Sequence, residues 1–186
     1  MTGGRKLARH DSGVRLYSGA ALGRFRVRLT VAVLLGDINS AMEASPNFIS
    51  RRQFTVAWGH CDPAGIVFNA RFFEYFDDGT WAMFEHVLGV KPQEWPSVYG
   101  VFGIPLVDAG ARFIAPARFG DVVELTSQVT AFRRSSFDVE HKLTVHGAIA
   151  VEGRETRVWA AYRPDDASKI MAKPLPSEVI ARFRAP

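Results

Sequence analysis

The sequence predicts an α+β fold in which an antiparallel sheet curves around one long central helix. Three observations lead there. Phe72, Phe73, Phe76, Thr80, Met83, Phe84, Val87 and Leu88 recur at helical spacing between Asn69 and Gly89. At least four later segments alternate apolar and polar residues with period two, the mark of antiparallel strands that bury one face. Aromatic side chains take up so much of the helix circumference that protein is needed on nearly every side, and one sheet wrapped around it supplies that economically.

In chain order, residues 1–41 mix Gly, Ser and Arg around one short apolar run, Leu29 to Leu35, with no sustained period. They are expected to be a disordered N-terminal extension, and residues 42–186 the domain. A secretory leader built on Leu29 to Leu35 would be late and short. From Arg52 to Trp58, Phe54, Val56 and Trp58 alternate with Gln53, Thr55 and Ala57, which predicts a half-buried strand. The helix follows, with Asn69 as N-cap, Gly89 as C-cap and Gly79 marking a close backbone approach. Strands are expected at Ile104 to Ile114, Val122 to Phe132, Phe137 to Val145 and Arg154 to Tyr162. In the second, Val123, Leu125, Val129 and Ala131 share one face; in the third, Phe137, Val139, His141, Leu143 and Val145 do. Gly147 and the pair Glu152-Gly153 are read as turns, and Ser177 to Arg184 as a short closing helix.

Composition narrows the function classes. At 186 residues, 47% hydrophobic and 23% charged, the chain suits one ordinary globular domain. No apolar run approaches the ~20 residues that span a bilayer. One cysteine, Cys61, excludes an intrachain disulfide and a Cys-rich metal cluster, and the cytoplasm is the expected compartment. Of the charged residues, seven Lys/Arg and two Asp fall in residues 1–41, leaving sixteen against seventeen in the remainder. The positive balance of the chain therefore belongs to the extension, and the domain offers no basic field to a nucleic acid.

The chemistry concentrates in Trp58 to Asp78, WGHCDPAGIVFNARFFEYFDD. Proline at position 63 pushes Asp62 out of the helical region, and Ala64-Gly65 permits a tight bend. The helix starts a few residues later, so its unpaired N–H groups and positive dipole end point back toward the turn. A carboxylate facing such an anion-stabilising end suits attack on a carbonyl whose oxygen turns negative. An Asp that merely caps its own turn would give the same local pattern.

Asp62-Pro63-Ala64-Gly65-Ile66-Val67-Phe68 before an aromatic-rich helix resembles the signature of the 4-hydroxybenzoyl-CoA thioesterase family of hotdog-fold proteins. Gly103-Ile104-Pro105-Leu106-Val107, Phe113, Asp121-Val122-Val123 and Arg133-Arg134-Ser135-Ser136-Phe137 follow in that family's order and spacing. The resemblance covers about Arg52 to Pro164. It implies a hotdog fold and an acyl-CoA thioesterase acting on an aromatic acyl-CoA, foremost 4-hydroxybenzoyl-CoA. It implies no metal and no cofactor, coenzyme A being part of the substrate. A homodimer or homotetramer is implied, with no nucleic-acid or membrane partner. Asp62 matches the carboxylate that acts as nucleophile or as general base, and the Asn69 N–H matches the donor to the thioester oxygen. Asp77 matches a carboxylate deep in the acyl pocket; Phe68, Ile104 and His60 line the same site. Arg133, Arg134 and Ser135 match the coenzyme A contacts, across a subunit boundary. Departures from the best-known branch fall at His60, Asn69 and Ile104, where it has an acid, a tyrosine and a threonine. They touch the pocket lining rather than the nucleophile. His60 either tunes Asp62 or acts as an acid, or is a turn histidine bonded to backbone. Cys61 lacks the partner set a nucleophilic thiol needs. The competing functions are a short-chain acyl-CoA or acyl-carrier-protein thioesterase of the same fold, and a non-catalytic acyl-CoA-binding protein.

Overall fold

A computed structural model describes residues 25–27 and 48–184. Six strands form one antiparallel sheet: β1 (Phe25–Val27), β2 (Ser50–Thr55), β3 (Leu106–Phe113), β4 (Val122–Phe132), β5 (Ser136–Val145) and β6 (Ala148–Val158). Their order across the sheet is β1-β3-β6-β5-β4-β2. A two-stranded ribbon, β7 (Ala160–Tyr162) with β8 (Ile170–Ala172), continues from β6. Helix α1 (Asn69–Leu88) packs on the sheet, followed by the short α2 (Trp95–Val98) and, near the end of the chain, α3 (Ser177–Arg184). The hotdog arrangement expected from sequence is the one observed. Of the anticipated extension, only β1 falls among the described residues; it pairs with Ala109 to Ala111 of β3.

Helix α1 buries Phe72, Tyr75, Phe76, Gly79, Thr80, Met83, Phe84 and Leu88, a single stripe at the spacing of three and four residues that places side chains on one face. Gly89 ends it in the left-handed region at φ 63°, donating to the Glu85 carbonyl. The N-cap is Phe68, without a side-chain cap bond, and Asn69 is the first helical residue. Gly79 makes the close approach expected of it, since a Cβ there would sit 2.8 Å from Leu125 Cδ2 and from Ser127 Oγ. The wrap is less complete than the aromatic count suggests. Phe73, Asp77 and Trp81, four residues apart, form a half-buried flank, and Asn69, Ala70, Glu74 and Asp78 face solvent.

Three local expectations change. The first strand stops at Thr55; Trp58 begins a 3₁₀ turn, stays 74% exposed and meets the Phe119 ring edge-on. A register shift between Val129 and Ala131 turns Ala131 away from the buried row and puts Phe132 into it. Glu152-Gly153 is no turn. The hairpin closes at His146-Gly147, both at positive φ, and β6 runs straight through Gly153. Gly153 lacks a side chain because the Phe76 ring lies directly on it.

The core has two halves. Near the start of α1, Val56, Val67, Phe72, Tyr75 and Phe76 pack on Val123, Leu125, Leu143 and Val151. Toward its end, Met83, Phe84 and Leu88 meet Trp95, Phe132, Phe137, Trp159 and Phe183. α1 therefore runs alongside β4 in the same sense, its start near Val122 and its end near Phe132.

Candidate active site at the start of the long helix

Asp62 sits in a small closed turn. Its N–H donates to the Ile66 carbonyl at 2.9 Å, and its carbonyl accepts from Gly65, which reaches φ 73°. Cys61 bridges Val67, Ile66 bridges Arg118, and Val67 donates to Ala117 at 2.8 Å, so the turn is fastened to the loop before β4. Asp62 Oδ1 accepts the Ala64 N–H at 2.8 Å. Its other oxygen has no partner among the described residues. The Phe68 N–H reaches back to the His60 carbonyl at 2.9 Å, which seats the start of α1 beside the turn. The N–H groups of Asn69 and Ala70, both exposed, have no backbone acceptor among the described residues. Two free donors and the positive end of a twenty-residue helix thus open beside a carboxylate with a free oxygen.

His60 and Cys61 are otherwise engaged. His60 Nδ1 pairs with Tyr75 Oη at 2.7 Å, a side-chain partner rather than the backbone one considered from sequence. Burial, with smaller contributions from Cys61 and Glu74, pushes the Tyr75 phenol up to about 12, so Tyr75 is neutral across the working range. The Cys61 thiol donates weakly to the Ala57 carbonyl at 3.9 Å. Phe68 is half exposed at the rim, and Ile104 is fully buried.

Asp77 lies about 12 Å further along the helix axis, at 1.5 Å per residue. It is not alone. Arg157 Nη2 donates to Asp77 Oδ1 at 2.5 Å. Arg157 Nε and Nη2 also clasp the Glu155 carboxylate at 2.8 and 2.9 Å, and Nη1 reaches the Ile104 carbonyl at 3.2 Å. Thr80 Oγ1 donates to Glu155 Oε2 at 2.8 Å; His141 Nε2 stands 3.4 Å from the same oxygen, and its Nδ1 is 2.8 Å from Ser127 Oγ. Phe76 stacks on the His141 ring at 4.8 Å. Burial alone would raise the Glu155 carboxyl, but hydrogen bonds from His141 and Arg157 and the guanidinium charge hold it at about 2. Ser127, His141 and Glu155 have the composition of a hydrolase triad, yet each is at most 3% exposed and α1 packs over Ser127 at Gly79. No substrate carbonyl can reach that serine.

The sequence did not single out this network. Its signal was ionisable residues on inward-facing rows: His141 among Val139 and Leu143, and Glu155 and Arg157 in step with Gly153.

Arg133, Arg134 and Ser135 form the β4–β5 turn. Arg133 clasps Asp138 with two bonds, 2.8 and 2.5 Å. Those bonds and the neighbouring charge hold the Asp138 carboxyl below the usual range against its burial. Arg134 is exposed and its carbonyl accepts the Leu175 N–H; the Ser135 carbonyl accepts that of Trp159. Within one chain these residues are not brought to Asp62. The Asp62 turn is fastened at the Val122 end of β4, and the eleven residues of that strand, at about 3.3 Å each, put roughly 30 Å between its ends. Among the described residues no three His, Cys, Asp or Glu side chains gather to hold a metal ion. No helix of the described residues is long and apolar enough to cross a membrane. A shallow depression lined by Gln53, Glu124, Thr144 and His146 lies on the sheet face turned away from α1 and shares no residue with the Asp62 turn.

Comparison with known proteins follows the same line. The sequence model of the thioesterase-like superfamily matches residues 56–183. A 4-hydroxybenzoyl-CoA thioesterase of Pseudomonas sp. (strain CBS-3) is 28% identical over 134 residues, 69% of this chain and 92% of that protein. The crystal structure of a 4-hydroxybenzoyl CoA thioesterase mutant with 4-hydroxybenzoyl CoA superposes with a TM-score of 0.68 at 22% identity, covering 74% of this chain and 99% of that one. A gentisyl-coenzyme A thioesterase gives 0.61 at 28% identity over 72% of this chain and 99% of the other. With a family match over more than half its length and the hotdog fold in place, the chain belongs to the thioesterase-like superfamily and is a thioester hydrolase.

Proposed function

We propose that this thioesterase hydrolyses an aromatic acyl-CoA carrying a ring hydroxyl, 4-hydroxybenzoyl-CoA in the first instance, to the free acid and coenzyme A. The observation behind it is Asp62, with one oxygen unpartnered among the described residues, beside the N–H groups of Asn69 and Ala70, which have no backbone acceptor among them. The thioester carbonyl oxygen accepts the Asn69 N–H, and the helix end stabilises the charge that grows on it. The Asp62 carboxylate either adds to the carbonyl carbon and expels the thiolate, leaving an anhydride that water opens, or takes a proton from the attacking water. No metal or cofactor enters either route. Asp77 supports the aromatic reading: set about 12 Å deeper on a half-buried flank with Phe73 and Trp81, it can accept from a hydroxyl at the far side of a ring. The two relatives named above, acting on hydroxybenzoyl and gentisyl thioesters, agree with that choice.

The site needs a second copy of the chain. Arg134 and its neighbours stand roughly 30 Å from Asp62 within one chain, too far to serve the thioester and the coenzyme A phosphates of one substrate on the same side of the sheet. A partner laid against the open α1 flank brings its own turn to this Asp62 and covers Phe73 and Trp81. Guanidinium forks suit phosphate there.

The test is release of free thiol from 4-hydroxybenzoyl-CoA, benzoyl-CoA and short and long aliphatic acyl-CoAs. Losing a hydrogen bond to a charged group costs about 1.5–3 kcal/mol, so kcat/KM is expected to fall about ten- to a hundredfold when the hydroxyl is removed. Equal or better turnover of aliphatic thioesters overturns the aromatic assignment. A monomeric mass at micromolar concentration overturns the shared site.

A further inference from the structure

We infer that Arg157 is a positioning residue for acyl selectivity, holding Asp77 by one oxygen so that the other is presented to the substrate; this rests on the reading of Asp77 as the residue that meets the acyl group. The Asp77 side chain is 48% exposed and Arg157 2%. Left to itself, a half-exposed aspartate on a helix turns its carboxylate to water. The bond from Arg157 Nη2 to Oδ1 stops that rotation, and Oδ2 keeps no partner among the described residues.

Arg157 can do this because it is itself fixed. Two bonds to Glu155 set the plane of its guanidinium, and one to the Ile104 carbonyl sets its edge. Glu155 in turn is held from α1 by Thr80, one helical turn from Asp77. The chain of contacts therefore leaves the helix at Thr80, crosses to β6 and returns to the helix at Asp77. As a source of stability it is poorly chosen, because burying two full charges gains little over well-packed apolar side chains. What apolar packing could not supply is a directed donor beneath a carboxylate that must hold its angle while a ligand approaches from above.

The ligand class that follows is an acyl chain or ring ending in a single hydrogen-bond donor. A terminal anion faces the unpaired Oδ2 and is excluded.

The experiment compares kcat/KM for 4-hydroxybenzoyl-CoA and benzoyl-CoA in the parent protein and three variants. Asp77→Ala removes the acceptor. Arg157→Met with Glu155→Gln removes the donor without stranding a buried charge, and Thr80→Val loosens Glu155 while keeping every charge. Cooperative melting and unchanged oligomer mass are checked for each. The preference is expected to be about tenfold or more in the parent and to fall to within about threefold of unity both in the double variant and in Asp77→Ala, because the residues act as a unit. Thr80→Val should give an intermediate value. A parental preference in the folded double variant, alongside its loss in Asp77→Ala, makes Arg157 purely structural and overturns the inference. Should the double variant not fold, a parental preference in Thr80→Val overturns it instead. If Asp77→Ala itself leaves the preference intact, the acyl-pocket reading falls and the inference with it.

Discussion

The Asp62 turn and the Arg157 network are both built around carboxylates, and they are held in opposite ways. Backbone holds the turn: N–H and carbonyl groups of residues 60 to 68 fasten it, and one oxygen of Asp62 has no partner among the described residues. Side chains hold the network: Glu155 and Arg157, at most 3% exposed, spend their polar atoms on each other and on Thr80, Ile104 and Asp77. A reactive group needs a free lone pair and a scaffold indifferent to its own side chain. A positioning group needs the reverse. Substitution should therefore separate activity from stability differently in the two places.

The largest stability effect expected is Arg157→Met alone. It leaves Glu155 as a buried charge without its main partner, and breaking such a pair costs about 3–5 kcal/mol, readable in urea or thermal melts. Acid should do similar damage by another route. With the Glu155 carboxyl lowered from 4.5 to about 2, its contribution is complete above pH 4.5 and disappears as pH falls through about 2. A shift of that size is worth about 3 kcal/mol, so melting temperature should drop steadily across that window and less so in Glu155→Gln. Gly153→Ala pushes a methyl into the Phe76 ring and should cost about 1–3 kcal/mol by overpacking. At the turn, Arg134→Ala should raise KM more than it lowers kcat, since phosphate contacts remote from the thioester bind ground and transition states alike. Asp62→Asn should move stability least, within about 1 kcal/mol, because an amide oxygen can still accept from Ala64.

The same contrast explains what the sequence disclosed. Backbone devices leave local marks: Asp before Pro, Gly65 at a positive φ, Gly89 as C-cap and Gly79 under Leu125 are all visible in one stretch of chain. The strand rows of β4 and β5 were visible too, up to the register shift that exchanged Ala131 for Phe132. The network leaves only single ionisable residues on inward-facing rows, because its members come from α1, β4, β5 and β6 and meet only when the sheet forms. Gly153 was misread for a related reason: a glycine between charged residues suggests a turn unless the ring above it is known. The chain cannot announce Phe76 there.

In the proposed function, Asp62 carries the chemistry. Steady-state hydrolysis of 4-hydroxybenzoyl-CoA should be compared in the parent, Asp62→Asn and Cys61→Ala, with coenzyme A affinity measured alongside. Asp62→Asn should lower kcat by about a hundredfold or more, as expected for loss of a nucleophile or general base, with coenzyme A binding retained. Cys61→Ala should leave kcat close to that of the parent. A folded Asp62→Asn protein that turns over at the parental rate, or a collapse of kcat in Cys61→Ala instead, would overturn the role of Asp62.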